Sequence, residues 1–275
     1  MRYKLFAFDL DGTLLDDRKL LSPANTLALR EIAAAGGVIA FATGRIGSSV
    51  DRYLPFGLGD VALLTLNGAE VWTGSDHGSS RIYYAPLSSS IADFLIDYGR
   101  DREFALNYYI DGKLYAVRTE NSSPWIDLYV RQTSSTYRFE TSLDRFKGRL
   151  PSKIIFVGSK PFLDEQERQF RALWGESVYI CRTWDYYLEF LDPKANKASG
   201  LEALAHAYGI ELSQVAAFGD SQNDIPMLQR AGLGVAMANA GAEVKSAASR
   251  VSKWTNNEDG IAREWEEIKK MKDEG

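Results

Sequence analysis

The stretch YKLFAFDLDGT, residues 3–13, decides how the chain starts to fold. Its first six residues are apolar or aromatic apart from one lysine, which predicts a short buried strand. Asp9 and Asp11 follow at once, and strand alternation points both to the same side. Because parallel sheets bind ligands beyond the carboxyl ends of their strands, a site is expected here. Alone, the stretch also fits an Asp-Gly turn with incidental acids.

Apolar strands alternate with amphipathic helices in the first and last thirds of the chain. Strands are predicted at residues 3–8, 38–43, 61–66, 69–73, 215–220 and 234–237. Ser22-Pro23 predicts a helix start, because serine caps a helix and proline suits its first turn. The apolar face of that helix is expected to consist of Leu27, Ala28, Ile32 and Ala35. The alternation predicts an α/β fold with a Rossmann-like parallel sheet core and helices on both faces.

The middle of the chain has a different pattern. Two apolar runs flank Asp111-Gly112, a dipeptide that favours a tight β-hairpin. Strands are predicted here at residues 104–110, 113–119, 153–158, 177–182 and 186–191. We therefore expect residues 84–190 to form an α+β module, inserted into a domain made of residues 1–83 and 191–275.

The composition excludes several classes of protein. Of the 275 residues 45% are apolar, but the apolar runs are too short for a membrane helix. The net charge of −5 does not indicate the basic surface that binding to nucleic acid usually requires. A single cysteine excludes an intrachain disulfide, and no signal peptide is predicted. We expect a cytoplasmic protein that binds neither nucleic acid nor membrane.

Two further motifs lie where a strand ends or a helix begins. Thr43-Gly44 ends the second strand, and its hydroxyl and amides could cap a helix or hold an anion. Lys197 opens a helix, where its charge opposes the helix dipole and a bound anion would offset it. An exposed lysine in a polar loop is the alternative for Lys197.

The last motif is GDSQND at residues 219–224. Asp224 lies at a predicted helix start, where a carboxylate is favourable because it caps the helix. Capping does not explain Asp220, which comes directly after a predicted strand, just as Asp9 comes directly after the first strand. Asp9, Asp11, Asp220 and Asp224 would place four carboxylates at one end of one sheet. Like charges so close need compensation, and Lys197 supplies only one positive charge. An all-oxygen ligand set favours Mg²⁺ (or Mn²⁺) over zinc, which predicts a phosphoryl-transfer site.

Together these stretches resemble the four motifs of the haloacid dehalogenase-like hydrolase superfamily, in order and in spacing. The motifs are DLDGT at 9–13, ATGR at 42–45, NKASG at 196–200 and GDSQND at 219–224. The insertion after the second motif, with AGLGVAMANA at 231–240 and NNEDGIA at 256–262, is similar to the Cof-like subfamily. Ala198, where the family usually has glycine, is a departure that a helix start tolerates. The inserted module would then be a cap domain.

The resemblance implies a role for each motif residue. Asp9 would attack phosphorus and form an aspartyl-phosphate, and Asp11 would act as acid and then as base. Thr43 and Lys197 would hold the phosphoryl oxygens. The Mg²⁺ ligands would come from Asp9, Asp11 (through its backbone carbonyl), Asp220 and Asp224. The substrate-binding set would be Thr43, Gly44, Asn67, Lys197 and Asn223, with a plain hairpin turn as the alternative for Asn67.

The resemblance also implies a class of substrate. Asp11 favours a phosphatase or a phosphomutase over a dehalogenase, which lacks that residue. We expect sugar phosphates first and phosphorylated cofactors such as FMN or pyridoxal phosphate second, from a monomer or small homo-oligomer. The alternatives are a phosphomutase and a weakly catalytic regulator that binds a phosphorylated metabolite.

The cap would select the substrate. Most of its aromatic residues are expected in its core: Tyr108, Tyr109, Trp125, Trp184, Tyr186 and Tyr187. Arg45 is expected to pair with an acid rather than to touch the substrate.

Overall fold

The computed structural model describes residues 2–55, 58–74, 80–100 and 102–271, and the chain divides into two compact units. The first unit combines the chain up to Tyr83 with the chain from Asn196 onward, and the second is Tyr84–Ala195. The sequence pattern placed residues 191–195 in the first unit instead. That the two units fold as independent domains stays a prediction.

Most of the strands lie where continuous apolar runs predicted them. In chain order they are β1 (Leu5–Phe8), β2 (Val38–Ala42), β3 (Val61–Thr65), β4 (Glu70–Trp72), β5 (Arg81–Tyr84), β6 (Ala105–Ile110), β7 (Lys113–Val117), β8 (Tyr137–Glu140), β9 (Lys153–Val157), β10 (Tyr179–Trp184), β11 (Tyr187–Leu191), β12 (Val215–Gly219), β13 (Leu233–Ala236) and β14 (Arg250–Val251). Three of them, β5, β8 and β14, were not predicted. All three are edge strands with mostly accessible side chains, so burial imposes little pattern on them.

Helices connect most of these strands. They are α1 (Pro23–Ala34), α2 (Ser89–Tyr98), α3 (Ser123–Thr133), α4 (Lys160–Trp174), α5 (Lys197–Ala207), α6 (Ile225–Arg230), α7 (Ala242–Ala247) and α8 (Gly260–Lys270). In the described ranges, none of them combines the length and the apolar character that crossing a membrane requires.

The first unit is built on an eight-stranded sheet in the order β14-β13-β12-β1-β2-β3-β4-β5. β1 lies parallel between β2 and β12, so that Phe8 is level with Phe41 and Phe218. The pairs β2–β3, β12–β13 and β13–β14 are also parallel, and β4 turns back antiparallel to β3. The parallel core confirms the predicted α/β class. It brings the carboxyl ends of β1, β2, β3 and β12 to one edge of the sheet.

Helices cover both faces of this sheet, as predicted. On one face α1 and α8 contribute Leu29, Ile32 and Trp265 to a core around Phe6 and Phe8. On the other face α5 and α6 bury Leu201, Leu204 and Met227 against small strand residues.

Two of the four residues predicted for the apolar face of α1, Leu27 and Ala35, are exposed, and Ala35 lies just beyond the end of the helix. The buried side chains of this helix are Asn25, Ala28, Leu29 and Ile32. Leu27 was expected on the apolar face but is 57% exposed, whereas Leu29 is fully buried. Helical spacing explains the difference, because Leu29 shares a face with Asn25, Ala28 and Ile32, whereas Leu27 lies on the opposite side of the helix.

The second unit is an α+β structure around a six-stranded sheet in the order β10-β11-β9-β6-β7-β8. β6 and β7 form the predicted hairpin, in which Asp111 (φ 51°) and Gly112 (φ 66°) are both left-handed. α2 and α4 contribute to its apolar core. Strand alternation turns Lys153 and Glu189 away from that core, where they form a buried ion pair at 2.8 Å.

The aromatic residues of this unit divide between core and surface. Tyr108, Tyr109 and Tyr187 are buried, as expected for core residues. Trp184 is 60% exposed and Tyr186 is 40% exposed. These two lie at the turn between β10 and β11, so the hairpin itself places them at the surface.

Ser22 offers a test of how α1 is held. Its hydroxyl accepts a hydrogen bond from the Asn25 amide at 3.1 Å. We expect Ser22→Ala to lower the free energy of unfolding by about 1 kcal/mol, because that amide loses its partner. Urea denaturation measures the change. Ser22→Asp keeps an acceptor at the cap and should unfold like the wild type. An unchanged midpoint for Ser22→Ala would show that the cap contributes nothing.

Candidate active site

The loop after β1 is tied to the end of β12. The Asp9 amide donates to the Phe218 carbonyl at 3.0 Å, which extends the β1–β12 ladder by one residue. Gly12 has φ 89° and lies against the Asp220 carboxylate, where a Cβ atom would come within 2.5 Å of Oδ2. The Thr13 hydroxyl donates to Asp220 Oδ1 at 2.9 Å. A glycine is therefore required at position 12 for the two acidic loops to meet.

The loop after β12 folds around Asp224. Its Oδ2 accepts hydrogen bonds from the Asp220 and Ser221 amides, both at 3.0 Å, and Ser221 completes a capping box. A Cβ atom at Gly219 would lie 2.4 Å from the Asp224 Cβ, so this position also needs glycine. The capping expected for Asp224 is confirmed. Its other oxygen, Oδ1, stays available to contact Lys197.

Three carboxylates converge at this edge of the sheet. Asp9, Asp220 and Asp224 each contribute one oxygen atom to a group that spans at most 4.8 Å. Lys197 is fully buried, and its Nζ lies 2.6 Å from Asp9 Oδ1 and 2.5 Å from Asp224 Oδ1. The alternative of an exposed loop lysine is therefore wrong, since α5 begins by burying this ammonium between two acids.

The charges of the group perturb one another. Burial raises the pKa of Asp9 well above its usual range. The Lys197 ammonium lowers this pKa, whereas the Asp224 and Asp220 carboxylates raise it further. Burial, and then the Asp224 carboxylate, raise the pKa of Asp220 to about 6. Burial disfavours the charged form of Lys197, but Asp224 and Asp9 outweigh it and raise its pKa. The group holds more negative than positive charge, and only oxygen atoms could be ligands, which fits a hard divalent cation.

Asp11 does not belong to this group. Its carboxylate accepts two hydrogen bonds from Arg45, at 2.6 and 2.7 Å, and lies 2.9 Å from Lys19 Nζ. The expected convergence of four carboxylates is thus reduced to three. The pairing of Arg45 with an acid is confirmed. Burial alone would raise the pKa of Asp11, but the Arg45 and Lys19 contacts outweigh it and lower that pKa.

The ends of β2 and β3 carry the remaining residues of the expected site. Thr43 is buried, and its hydroxyl accepts a hydrogen bond from the Arg45 amide at 3.1 Å. Asn67 has φ 60°, and its side-chain oxygen accepts a hydrogen bond from Asn223 Nδ2 at 2.9 Å. Gly44 faces the same side chain, since a Cβ atom there would lie 3.0 Å from Asn67 Oδ1. Asn67 thus joins the β2, β3 and β12 loops and is more than a hairpin turn.

Three further residues touch the site, although none of them was predicted as a site residue. Thr13 binds Asp220, Lys19 binds Asp11, and Asn239 Nδ2 donates to the Gly12 carbonyl at 2.8 Å. Thr13 lies within the DLDGT motif, which was a usable signal. Asn239 lies within AGLGVAMANA, which was also a usable signal, whereas Lys19 reaches the site through a turn that no motif or periodicity marks.

Comparison with known proteins extends the similarity over most of the chain. A family model described as haloacid dehalogenase-like hydrolase matches residues 6–264. The chain is similar to the HMP-PP phosphatase of Cronobacter sakazakii, with 32% identity over 238 residues, which are 86% of this chain and 85% of that protein.

Solved structures share the whole architecture. A haloacid dehalogenase-like hydrolase from Bacteroides thetaiotaomicron superposes with a TM-score of 0.85 and 27% identity, over 97% of this chain and 99% of that one. A protein from Thermotoga maritima superposes with a TM-score of 0.85 and 28% identity, over 97% of both chains. The same succession of parallel-sheet unit and inserted α+β unit is therefore found in proteins of this kind.

The raised pKa of Asp220 predicts that this acid destabilises the metal-free protein. Ionising Asp220 costs more in the folded than in the unfolded chain, so the cost is full above about pH 6 and absent below about pH 4. We expect Asp220→Asn to raise the free energy of unfolding by about 1–2 kcal/mol near pH 7.5 in EDTA, after allowance for solvent screening. The gain should shrink toward about pH 4.5.

Urea denaturation at the two pH values measures this effect. The control is Asp60→Asn, which neutralises an exposed acid of the same unit and should leave the unfolding free energy unchanged. A loss of stability for Asp220→Asn near pH 7.5 would contradict the electrostatic description of the site.

Proposed function

The chain belongs to the haloacid dehalogenase-like hydrolase family, of the Cof-like kind, and is a phosphatase, and from this we propose that it is a Mg²⁺-dependent enzyme that hydrolyses small phosphorylated metabolites through an aspartyl-phosphate on Asp9. The observation that supports this most is the buried contact of Lys197 with Asp9 and Asp224 beside Asp220. A stable core does not need such a group, because burying charges costs several kcal/mol per ion.

Asp9 is the proposed nucleophile. Its oxygen attacks phosphorus and forms an acyl phosphate, while the bond from phosphorus to the leaving oxygen breaks. The carboxylate must be ionised to attack, and burial opposes ionisation. Lys197, at 2.6 Å, favours the ionised form, and its ammonium also faces the negative charge of the phosphoryl group.

Asp11 is the proposed acid and base. It donates a proton to the leaving oxygen in the first half-reaction and takes one from the attacking water in the second. The carboxyl group is therefore protonated again at the end of the cycle. Its ion pairs with Arg45 and Lys19 favour the carboxylate form. Proton donation therefore requires that these contacts loosen when the leaving group arrives.

The carboxylates of Asp9 and Asp220 and the backbone carbonyl of Asp11 would hold Mg²⁺, with Asp224 and Asn223 completing the shell directly or through water. The oxygen-only character of the carboxylate group fits this ion. When bound, Mg²⁺ supplies positive charge opposite the phosphoryl oxygens. Thr13 and Ser221 orient Asp220 through hydrogen bonds at 2.9 and 3.3 Å.

The phosphoryl oxygens are proposed to bind Thr43, Gly44 and Lys197. Thr43 and Gly44 leave β2 at the sheet edge where β1 presents Asp9. Asn67 and Asn223, which are hydrogen-bonded to each other, are the further substrate contacts. Their side-chain amides offer both donors and acceptors, as a substrate oxygen or hydroxyl requires.

The proposed substrates are sugar phosphates first and phosphorylated cofactors such as FMN or pyridoxal phosphate second. The relative named HMP-PP phosphatase supports the inclusion of HMP-PP in a substrate panel. We place the protein in the cytoplasm, as a monomer or small homo-oligomer, without a nucleic-acid or membrane partner.

A phosphate-release screen over such a panel, with Mg²⁺ and with EDTA, tests the proposal. We expect release that depends on Mg²⁺ and is confined to a narrow set of substrates. Asp9→Asn should reduce it by about 10³-fold or more, because the nucleophile is lost while the shape is kept.

Asp51→Asn, which changes an exposed acid of the same unit, is the control and should retain full activity. The proposed mechanism fails if Asp9→Asn, purified free of other phosphatases, hydrolyses the panel at the wild-type rate. If the folded wild type released no phosphate from any compound of the panel, a phosphomutase or a binding protein would be favoured.

A further inference from the structure

Lys19 contacts Asp11, the proposed acid and base, but the mechanism above gives Lys19 no contact with the substrate. Its Nζ is 2.9 Å from Asp11 Oδ1, on the carboxylate that Arg45 also holds. We propose that Lys19 is a substrate-binding residue whose ammonium attracts the phosphoryl group of the substrate. The proposal rests on the function proposed above and adds a residue to it.

The backbone at Lys19 is strained. Its φ of 62° lies in the left-handed region, which is unfavourable for a residue with a Cβ atom. The Asp16 carbonyl accepts a hydrogen bond from the Lys19 amide at 2.9 Å, and the Asp16 carboxylate accepts one from the Leu20 amide at 2.8 Å. Glycine or asparagine would suit this turn better. What lysine adds there is an ammonium beside Asp11.

The segment before the turn is fixed from the other end of the chain. Asn256 Nδ2 donates to the Leu15 carbonyl and to Asp17 Oδ1, both at 3.0 Å. Asp17 and Asn257 exchange two more hydrogen bonds, at 2.9 and 3.0 Å. Because residues 15–17 are held in this way, the turn presents Lys19 with little backbone freedom left to lose on binding.

Stability does not account for the contact between Lys19 and Asp11. The Lys19 side chain is 47% exposed, and an ion pair so accessible contributes little to the stability of the fold. Asp11 already accepts two short hydrogen bonds from Arg45. A second cation on a carboxylate that is already paired leaves positive charge available to an anion.

The formal charges of the site lead to the same conclusion. The carboxylates of Asp9, Asp11, Asp220 and Asp224 face the cations of Lys19, Arg45 and Lys197. With a divalent cation added, this set has one positive charge in excess. The Asp17 carboxylate also faces Lys19, but it is already hydrogen-bonded by Asn256 and Asn257. A phosphate monoester carries about 1.5–2 negative charges at neutral pH, so the excess favours its binding.

Lys19 is also the cation that can most easily move. The side chains of Lys197, Arg45 and Lys19 are 0%, 19% and 47% exposed. Lys197 is enclosed by two acids, and Arg45 is held at two nitrogen atoms. The ammonium of Lys19 ends a flexible stem and pairs with one oxygen of Asp11, so it can turn to a phosphoryl oxygen at the lowest cost.

Calorimetric titration of the full chain with inorganic phosphate, in the presence of Mg²⁺, tests the proposal without turnover. Lys19→Asn removes the charge and suits the left-handed turn, and we expect it to raise the phosphate Kd about tenfold while the melting temperature stays level or rises. Lys19→Arg should stay within about twofold of the wild type. The matched control is Arg18→Gln, which removes the 81% exposed neighbouring cation that pairs with Asp16, and it should also stay within about twofold.

A parallel kinetic series with 4-nitrophenyl phosphate should show a KM about tenfold higher for Lys19→Asn and a kcat within about threefold. Equal phosphate affinity in the wild type, Lys19→Asn and Lys19→Gln overturns the proposal. A loss of kcat with an unchanged phosphate Kd also overturns it, because Lys19 would then act only through Asp11. A wild type that binds no phosphate would contradict the proposed function itself.

Discussion

The burial of like charges at one edge of a parallel sheet is the constraint on which the rest of this structure depends. Asp9, Asp220 and Asp224 stand within a few ångströms of one another, and one buried ammonium, that of Lys197, lies between two of them. Each isolated ion would cost several kcal/mol to bury, so the group persists only with compensation. The glycines at positions 12 and 219 allow this approach, since a Cβ atom at either would meet a carboxylate or its Cβ atom.

Much of the fold and part of the site could be predicted because both follow from strand ends. Strands buried on two faces appear as continuous apolar runs, and the acids directly after β1 and β12 stand out against them. The positions of Asp9 and Asp220 at one edge of the sheet therefore follow from the amino-acid sequence. The hairpin at Asp111-Gly112 was predictable for a similar local reason, because its left-handed turn strongly favours that dipeptide.

Other features depend on tertiary contacts that no local pattern encodes. Strand alternation placed Asp11 beside Asp9, but β1 ends at Phe8, and the turn that follows directs Asp11 to Arg45 and Lys19. Asn239 and Asn256 contact the loop after β1 from more than 200 residues away along the chain. Such contacts can be found only once the chain is folded.

The acyl phosphate on Asp9 is the central claim, and chemical trapping tests it most directly. The enzyme is quenched with acid during turnover of its best substrate with Mg²⁺, and borohydride then reduces any acyl phosphate to an alcohol. Peptide mass spectrometry locates the modified residue. We expect homoserine at position 9, and at no other acid, in a reaction that requires substrate. Modification at Asp11 or Asp220 in place of Asp9, or none under conditions of confirmed turnover, would contradict the mechanism.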